Sequence, residues 1–351
     1  MKMRSKITSK SYYFFYPGNI NTKTGGYIYE KNILDHAKKL NFKISKVALS
    51  NNYPFPHKND LNDLSKKIKK LPLDSILIFD GLILESLEPI IDDLKDYKII
   101  ALIHHPLFLE FKGNISANFL SSGKKIFKLI NHFIVTSKDT KMLLEKKFNV
   151  IGKKIEVVEP GIERLKQHKK NQNANIQLLM CGSIIERKNY LYILQELKFI
   201  ENVTLNIVGD ISRDNKYYKA LSVFIKRNKL EKKVKFLGKV SNIKLSKLYS
   251  NTDFFISTSK YEGFGMSLAN ALILKIPIIT YKTPTIVKTI GTKGILYFEN
   301  FKIGNISALI NKNYYKTKNM QKIKAQLNHN SRIFLTPEHS AKMFIEKIKN
   351  A

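Results

Sequence analysis

Short apolar runs of four to six residues recur along this chain, each followed by a longer stretch of amphipathic pattern. That alternation limits the fold more than any other feature. An apolar run with no polar alternation is a strand buried on both faces, and strands separated by helices form parallel sheets covered on both sides. In the first half the runs are 12–16, 44–49, 75–79, 99–103, 133–136 and 155–158, with helices expected near 27–41, 60–71, 86–96, 121–131 and 138–147. A second series follows at 176–181, 203–208, 234–237, 253–257, 276–280 and 295–298, with helices near 189–200, 213–229, 243–250, 265–274 and 303–313. Residues 163–175 between the two series are polar and read as a linker. A last helix is expected over 337–349, after Thr336-Pro337-Glu338.

The fold expected is therefore α/β: two Rossmann-like, doubly wound domains facing an interdomain cleft. Residues 1–165 form the first domain and 176–335 the second. Residues 336–351 form a C-terminal helix that packs back on the first domain. The length of 351 residues suits two domains. Ligands of such sheets bind outside the carboxyl ends of the strands.

Composition removes some classes. One cysteine, Cys181, excludes an internal disulfide and a Cys-rich metal site. Nowhere do 18 apolar residues run together, so no transmembrane helix is expected. The basic stretch Met1–Lys10 lacks an apolar segment long enough for a signal peptide, and Pro17 closes the short aromatic run behind it. The expected location is cytoplasmic, with peripheral contact at the inner face of the plasma membrane as a further reading. The chain carries 61 Lys and Arg against 28 Asp and Glu, a net charge of +33. Such an excess attracts anions of every kind. Its lysines are spread in pairs over solvated helix faces, and no basic-aromatic stripe accompanies them, so no specific nucleic-acid partner is expected.

Three loops at strand ends carry candidate chemistry. The strongest is Tyr261-Glu-Gly-Phe-Gly-Met-Ser-Leu-Ala-Asn-Ala271, behind the strand 253–257 and opening a helix. Its glycines, Gly265 among them, let backbone approach a ligand and leave the N–H groups of Met266 and Ser267 free at a helix start. Glu262 can accept hydrogen bonds from sugar hydroxyls. The second is Gly182-Ser-Ile-Ile-Glu-Arg-Lys-Asn189, where Arg187 and Lys188 at a helix start suit a diphosphate. The third is Thr24-Gly25-Gly26, where Gly25 and Gly26 permit close approach to a phosphate or sugar. His104 and His105 end the strand 99–103, where a histidine can bond a sugar hydroxyl. Gly-x-Gly-x-x-Gly is absent, which counts against a dehydrogenase, and no zinc pattern, Walker loop or nucleophile elbow is present.

Residues 257–280 resemble the donor-binding segment of family 4 glycosyltransferases, which are retaining enzymes of GT-B fold. The resemblance implies a pattern of two glutamates eight positions apart. Glu262 fills the first, and Asn270 stands at the second, where the family binds ribose hydroxyls. It also implies that Arg187 and Lys188 hold the donor pyrophosphate, that His104 rather than His105 is the histidine in register, and that Gly161 in Glu159-Pro-Gly-Ile-Glu163 lies on the acceptor side or at the hinge. The implied catalytic residues are His104, Glu262 and Lys188. The implied partners are a nucleotide-sugar donor and a glycan or lipid-linked acceptor, in surface polysaccharide synthesis of bacterial type, with no cofactor and no metal. Two other readings share the architecture. One is a non-catalytic GT-B nucleotide-binding protein, favoured by Asn270 and Ser183. The other is a sugar-nucleotide epimerase, which needs carboxylates on the N-terminal side. Residues 113–131 mix Phe, Leu and Ile with Lys, the composition of a helix that can rest on an anionic bilayer.

Overall fold

A computed structural model describes residues 10–150, 154–330 and 332–351; all but the last residue of the basic stretch Met1–Lys10 lie outside them. The chain divides into two compact units. One holds the described residues up to Thr22, with Tyr27–Gly161 and Pro337–Ala351; the other holds Lys23–Gly26 and Ile162–Thr336.

Six parallel strands make the first unit's sheet: β1 (Tyr12–Pro17), β2 (Ile44–Leu49), β3 (Ile76–Asp80), β4 (Lys98–Ile103), β5 (His132–Val135) and β6 (Lys154–Val157), in the order β2-β1-β3-β4-β5-β6. The continuous apolar runs find their reason here. Phe15, Leu77, Phe79, Ala101 and Phe133 enter the core on one face, while Phe14, Ile76, Ile78, Ile100 and Ile134 enter a second core on the other. Helices α1 (Gly25–Lys39), α2 (Lys58–Lys69), α3 (Gly81–Leu84), α4 (Gly113–Ile126) and α5 (Lys138–Phe148) connect the strands. On α1 the buried positions Tyr27, Glu30, Leu34 and Ala37 recur every three or four residues, the stripe of a helix against a sheet. Glu30 is the one acid in it.

The second unit repeats the plan with β7 (Ile176–Cys181), β8 (Val203–Val208), β9 (Val234–Gly238), β10 (Phe254–Ser257), β11 (Ile278–Tyr281) and β12 (Ile295–Phe298), ordered β12-β11-β10-β7-β8-β9. Around them lie α6 (Tyr190–Glu196), α7 (Asn215–Arg227), α8 (Asn242–Ser250), α9 (Met266–Ile273), α10 (Pro284–Ile290), α11 (Asn305–Tyr314) and α12 (Thr317–Asn328). The final helix, α13 (Pro337–Lys349), belongs to the first unit: Phe344 and Ile348 join the core of Phe14 and Ile78, and Ser340 donates to the Glu159 carbonyl at 2.6 Å. Strand order reverses direction between β1 and β3 in one sheet and between β7 and β10 in the other. These switch points are where loops diverge and leave room for a ligand.

Four expectations need correction. Residues 85–94 form an irregular 3₁₀ stretch rather than an α-helix, because Pro89 interrupts it and Ile90 leaves helical geometry. The helices α10 and α12 were not anticipated. Arg187 and Lys188 do not open an α-helix; they sit in a single 3₁₀ turn, Glu186–Lys188, ended by left-handed Asn189. The stretch 163–175 is not a free tether, since His168 N–H donates to Ser250 Oγ at 2.9 Å and Lys170 pairs with Asp253 at 2.5 Å.

Among the described residues no helix is long and apolar enough to cross a membrane. The apolar side of α4, Phe119 and Ile126, is buried in the protein, and its exposed side is Asn114, Ala117, Asn118, Ser121, Lys124 and Lys125, with Ile115.

Candidate functional site

The loops that follow β7 and β10 meet at the second sheet's switch point. Thr258 Oγ1 donates to the carbonyls of Lys188 and Asn189, and Lys260 N–H donates to the Arg187 carbonyl at 3.0 Å. The two loops are thus one structure. Lys188 Nζ donates to Glu262 Oε1 at 2.5 Å; Arg187 Nη1 donates to the Tyr261 carbonyl at 2.6 Å and lies 3.6 Å from Glu262 Oε2. Gly182 leaves the space that Lys188 occupies, because a Cβ there would stand 3.1 Å from Lys188 Cε.

The side chains of Arg187, Lys188 and Glu262 are 12%, 15% and 12% exposed, so their charges act in a partly desolvated hollow of the loop. Burial alone would raise the Glu262 carboxyl. Lys188 and then Arg187 overturn this, with a hydrogen bond from Ser259 helping, and hold it down to about 2. Glu262 is therefore ionised throughout the physiological range. It accepts hydrogen bonds and cannot act as a proton donor. Two cations against one anion leave a net positive charge, which suits a diphosphate.

Past Gly265, whose φ of +97° suits glycine alone, α9 begins. Its half-exposed positions are Met266, Ser267, Asn270 and Ile273, with Asn270 three or four residues from each of the others and so on one face with them, while Leu268, Ala269, Ala271 and Leu272 are buried. The Asn270 side chain makes no hydrogen bond among the described residues. Gly25 and Gly26 open α1 and group with the second unit, where a Cβ on Gly25 would stand in ordinary contact, 3.6 Å from Met266 Sδ.

His104, His105 and Gly161 are placed in the first unit, the histidines behind β4 and Gly161 as a buried residue at the unit's end. His105 Nε2 is 2.6 Å from Glu110 Oε1. His104 Nε2 is 2.8 Å from Glu30 Oε1, and Asp80, at the end of β3, completes a cluster whose ligand-type atoms lie within 4.8 Å of one another. Burial raises Glu30 to about 8; burial, and then the charge of Glu30, raise Asp80 well above the ordinary range; burial holds His104 below its ordinary value. Glu30 and Asp80 escaped the reading of the sequence. The available signal was an acid in the apolar stripe of α1.

Comparison with known proteins follows the same division. Residues 162–332 match the model of the family described as Glycosyl transferases group 1. An uncharacterized 41.2 kDa protein in the cps region of Klebsiella pneumoniae is 29% identical over 151 residues, 41% of this chain and 38% of that protein. The capsular polysaccharide biosynthesis glycosyltransferase CapM of Staphylococcus aureus is 22% identical over 240 residues, 64% of this chain and 59% of that protein. The matches thus span less than two thirds of either relative. Among solved structures, Anabaena Alr3699/HepE in complex with UDP and glucose superposes with a TM-score of 0.75 at 15% identity, covering 98% of this chain and all of that one. The fold is that of the GT-B glycosyltransferases, and the match to glycosyl transferases group 1 falls on residues 162–332, within the second unit.

Proposed function

We propose that the chain is a retaining glycosyltransferase of family 4, which moves a hexose-type sugar from a nucleotide-diphosphate donor to a glycan or lipid-linked acceptor in bacterial-type surface polysaccharide synthesis. One observation carries this reading: Arg187, Lys188 and Glu262 converge at the switch point of the second sheet, two cations and an ionised carboxylate held by one pair of loops. The names of the relatives support it, one lying in a cps region and another serving capsular polysaccharide synthesis.

In this reading the second domain holds the donor. Arg187 and Lys188 meet the diphosphate, Glu262 and the N–H groups of Met266 and Ser267 meet the sugar, and Asn270 meets the ribose. The first domain brings the acceptor, with His104 against a sugar hydroxyl and His105 and Gly161 on the acceptor side. During transfer the bond from the sugar's anomeric carbon to the diphosphate breaks while a bond to the acceptor oxygen forms on the same face. The acceptor's proton passes to the departing phosphate oxygen. Charge builds on that oxygen, and Lys188 and Arg187 stabilise it, the role a metal ion has in other transferases. No cofactor is called for.

An epimerase would need carboxylates that reach its ligand. Glu30 and Asp80 form a pair in the first unit, but both are closed off from solvent, at 0% and 1% exposure. Contact with an anionic membrane would rest on the lysines of α4 rather than on insertion, since its apolar side faces the core. The reading is tested by incubating the full chain with nucleotide sugars and candidate acceptors. Acceptor-dependent release of nucleoside diphosphate, with the donor's anomeric configuration kept in the product, supports it. Interconversion of the nucleotide sugar without acceptor supports an epimerase, and nucleotide binding without turnover a non-catalytic protein.

A further inference from the structure

The cluster of Glu30, Asp80 and His104 holds a polar atom without a partner: Glu30 Oε2 is buried and accepts no hydrogen bond from any neighbour. Asp80 faces it. Asp80 Oδ1 already accepts the Leu82 N–H at 2.9 Å, which caps α3, and Glu30 Oε1 already meets His104 Nε2 at 2.8 Å. Two facing carboxylates closed off from water cannot both stay ionised; one proton between them removes the repulsion and satisfies Glu30 Oε2. With that proton between the carboxyls, on either of them, Glu30 Oε1 is an acceptor only, so the proton opposite it belongs to His104 Nε2.

From this geometry we infer that Glu30 and Asp80 are positioning residues that fix the proton of the neutral His104 ring on Nε2, leaving Nδ1 as a hydrogen-bond acceptor for a sugar hydroxyl. The ligand part of the inference rests on the glycosyltransferase reading; the positioning part does not. The ring is also fixed by its surroundings. Tyr29 packs against it at 5.7 Å in an edge arrangement, and Thr136 Oγ1 donates to the His104 carbonyl at 2.9 Å. Tyr16, Tyr29 and Glu85 are the other titratable groups coupled to this cluster, and burial keeps all three neutral at physiological pH. Nδ1 makes no hydrogen bond among the described residues. An acceptor beside a carboxyl pair that keeps one negative charge suits a hydroxyl donor and repels a carboxylate, so the contacting sugar position is a hydroxyl rather than a uronate.

The test uses the full chain labelled with nitrogen-15. Among its eight histidines, His104 is assigned by the signals lost in His104→Gln. A long-range proton–nitrogen spectrum at neutral pH is expected to show His104 neutral and protonated on Nε2. Glu30→Gln imitates the protonated acid, its carbonyl accepting from Nε2–H and its amide donating to Asp80. It should keep that spectrum and hold kcat/KM within about twofold, whereas Glu30→Leu should mix the tautomers and lower kcat/KM about tenfold, the worth of one hydrogen bond. An imidazolium, a proton on Nδ1, or a Gln variant as impaired as the Leu variant would overturn the inference. The last result would point instead to a divalent cation held by two ionised carboxylates, which Gln cannot replace. The spectrum requires no turnover. A chain that transfers no sugar while showing the Nε2–H form would remove the sugar hydroxyl as ligand and leave the positioning intact.

Discussion

At the scale of single residues, charge burial separates two kinds of carboxylate. Glu262 is held down to about 2 by Lys188 and Arg187 against the opposing pull of burial. Its folded value lies below the unfolded one, so its contribution to stability is present above the ordinary carboxylate range and is lost as pH falls toward about 2. In the proposed mechanism Lys188→Ala removes a cation from both the carboxylate and the developing phosphate charge, and turnover is expected to fall on the order of 10²–10³-fold. Wild-type turnover in a steady-state assay would remove Lys188 from the mechanism. Glu85 is the opposite case. Burial raises it to about 8, and one of its oxygens is buried without a partner. A raised carboxyl stabilises the fold below its unfolded value, and that contribution is lost as pH rises through the folded value. Glu85→Gln, which cannot ionise, is therefore expected to raise the melting temperature at about pH 8 and to change it little at about pH 5. Equal shifts at both would contradict the assignment.

At the scale of elements, the loop behind β7 is shaped by a glycine outside it. A Cβ on Gly209, which follows β8, would stand 1.8 Å from the Gly182 carbonyl oxygen, a backbone atom that cannot swing aside. Gly209→Ala should displace the loop carrying Arg187 and Lys188 and weaken nucleotide binding about tenfold or more, with no side chain of the site altered. Unchanged affinity by calorimetry would show the loop to be tolerant. The same scale explains what was legible in the sequence. Every strand could be read: burial on both faces writes a nearly continuous apolar run in central strands such as β3 and β4, and the edge strands β2 and β9 keep enough Ile, Val, Leu and Phe to stand out although Lys46 and Lys235 interrupt them. The helix α12 could not, since only Ile323 and Leu327 are buried along Thr317–Asn328, too few to set a period. The seven residues of α10 are too few to show a period, although its signals were present: Thr283 Oγ1 accepts from Ile286 N–H at 3.2 Å and Pro284 stands at the first turn. Arg187, Lys188 and Glu262 could be named because each stands directly behind an apolar strand. Glu30 and Asp80 lie 50 positions apart on a helix and a strand, and only the packing of α1 on the sheet joins them.

For the whole molecule, besides the short excursion of Lys23–Gly26, the chain passes into the second unit at Gly161–Ile162 and returns at Thr336–Pro337, so the last helix completes the first unit. Phe344 on α13 is fully buried in that unit's core, and Phe344→Ala is expected to cost about 3–5 kcal/mol of stability in denaturant unfolding. A loss below about 1 kcal/mol would mean that the helix is an accessory to the first unit. The functional account places the activated donor on the second unit by its diphosphate. Titration calorimetry of nucleoside diphosphates into the full chain and into the double variant Arg187→Ala, Lys188→Ala tests this most directly. Saturable binding by the wild type, weakened about 100-fold or more in the double variant, is the predicted result; equal affinity in the two proteins, or no binding of any nucleoside diphosphate by the wild type, would contradict it.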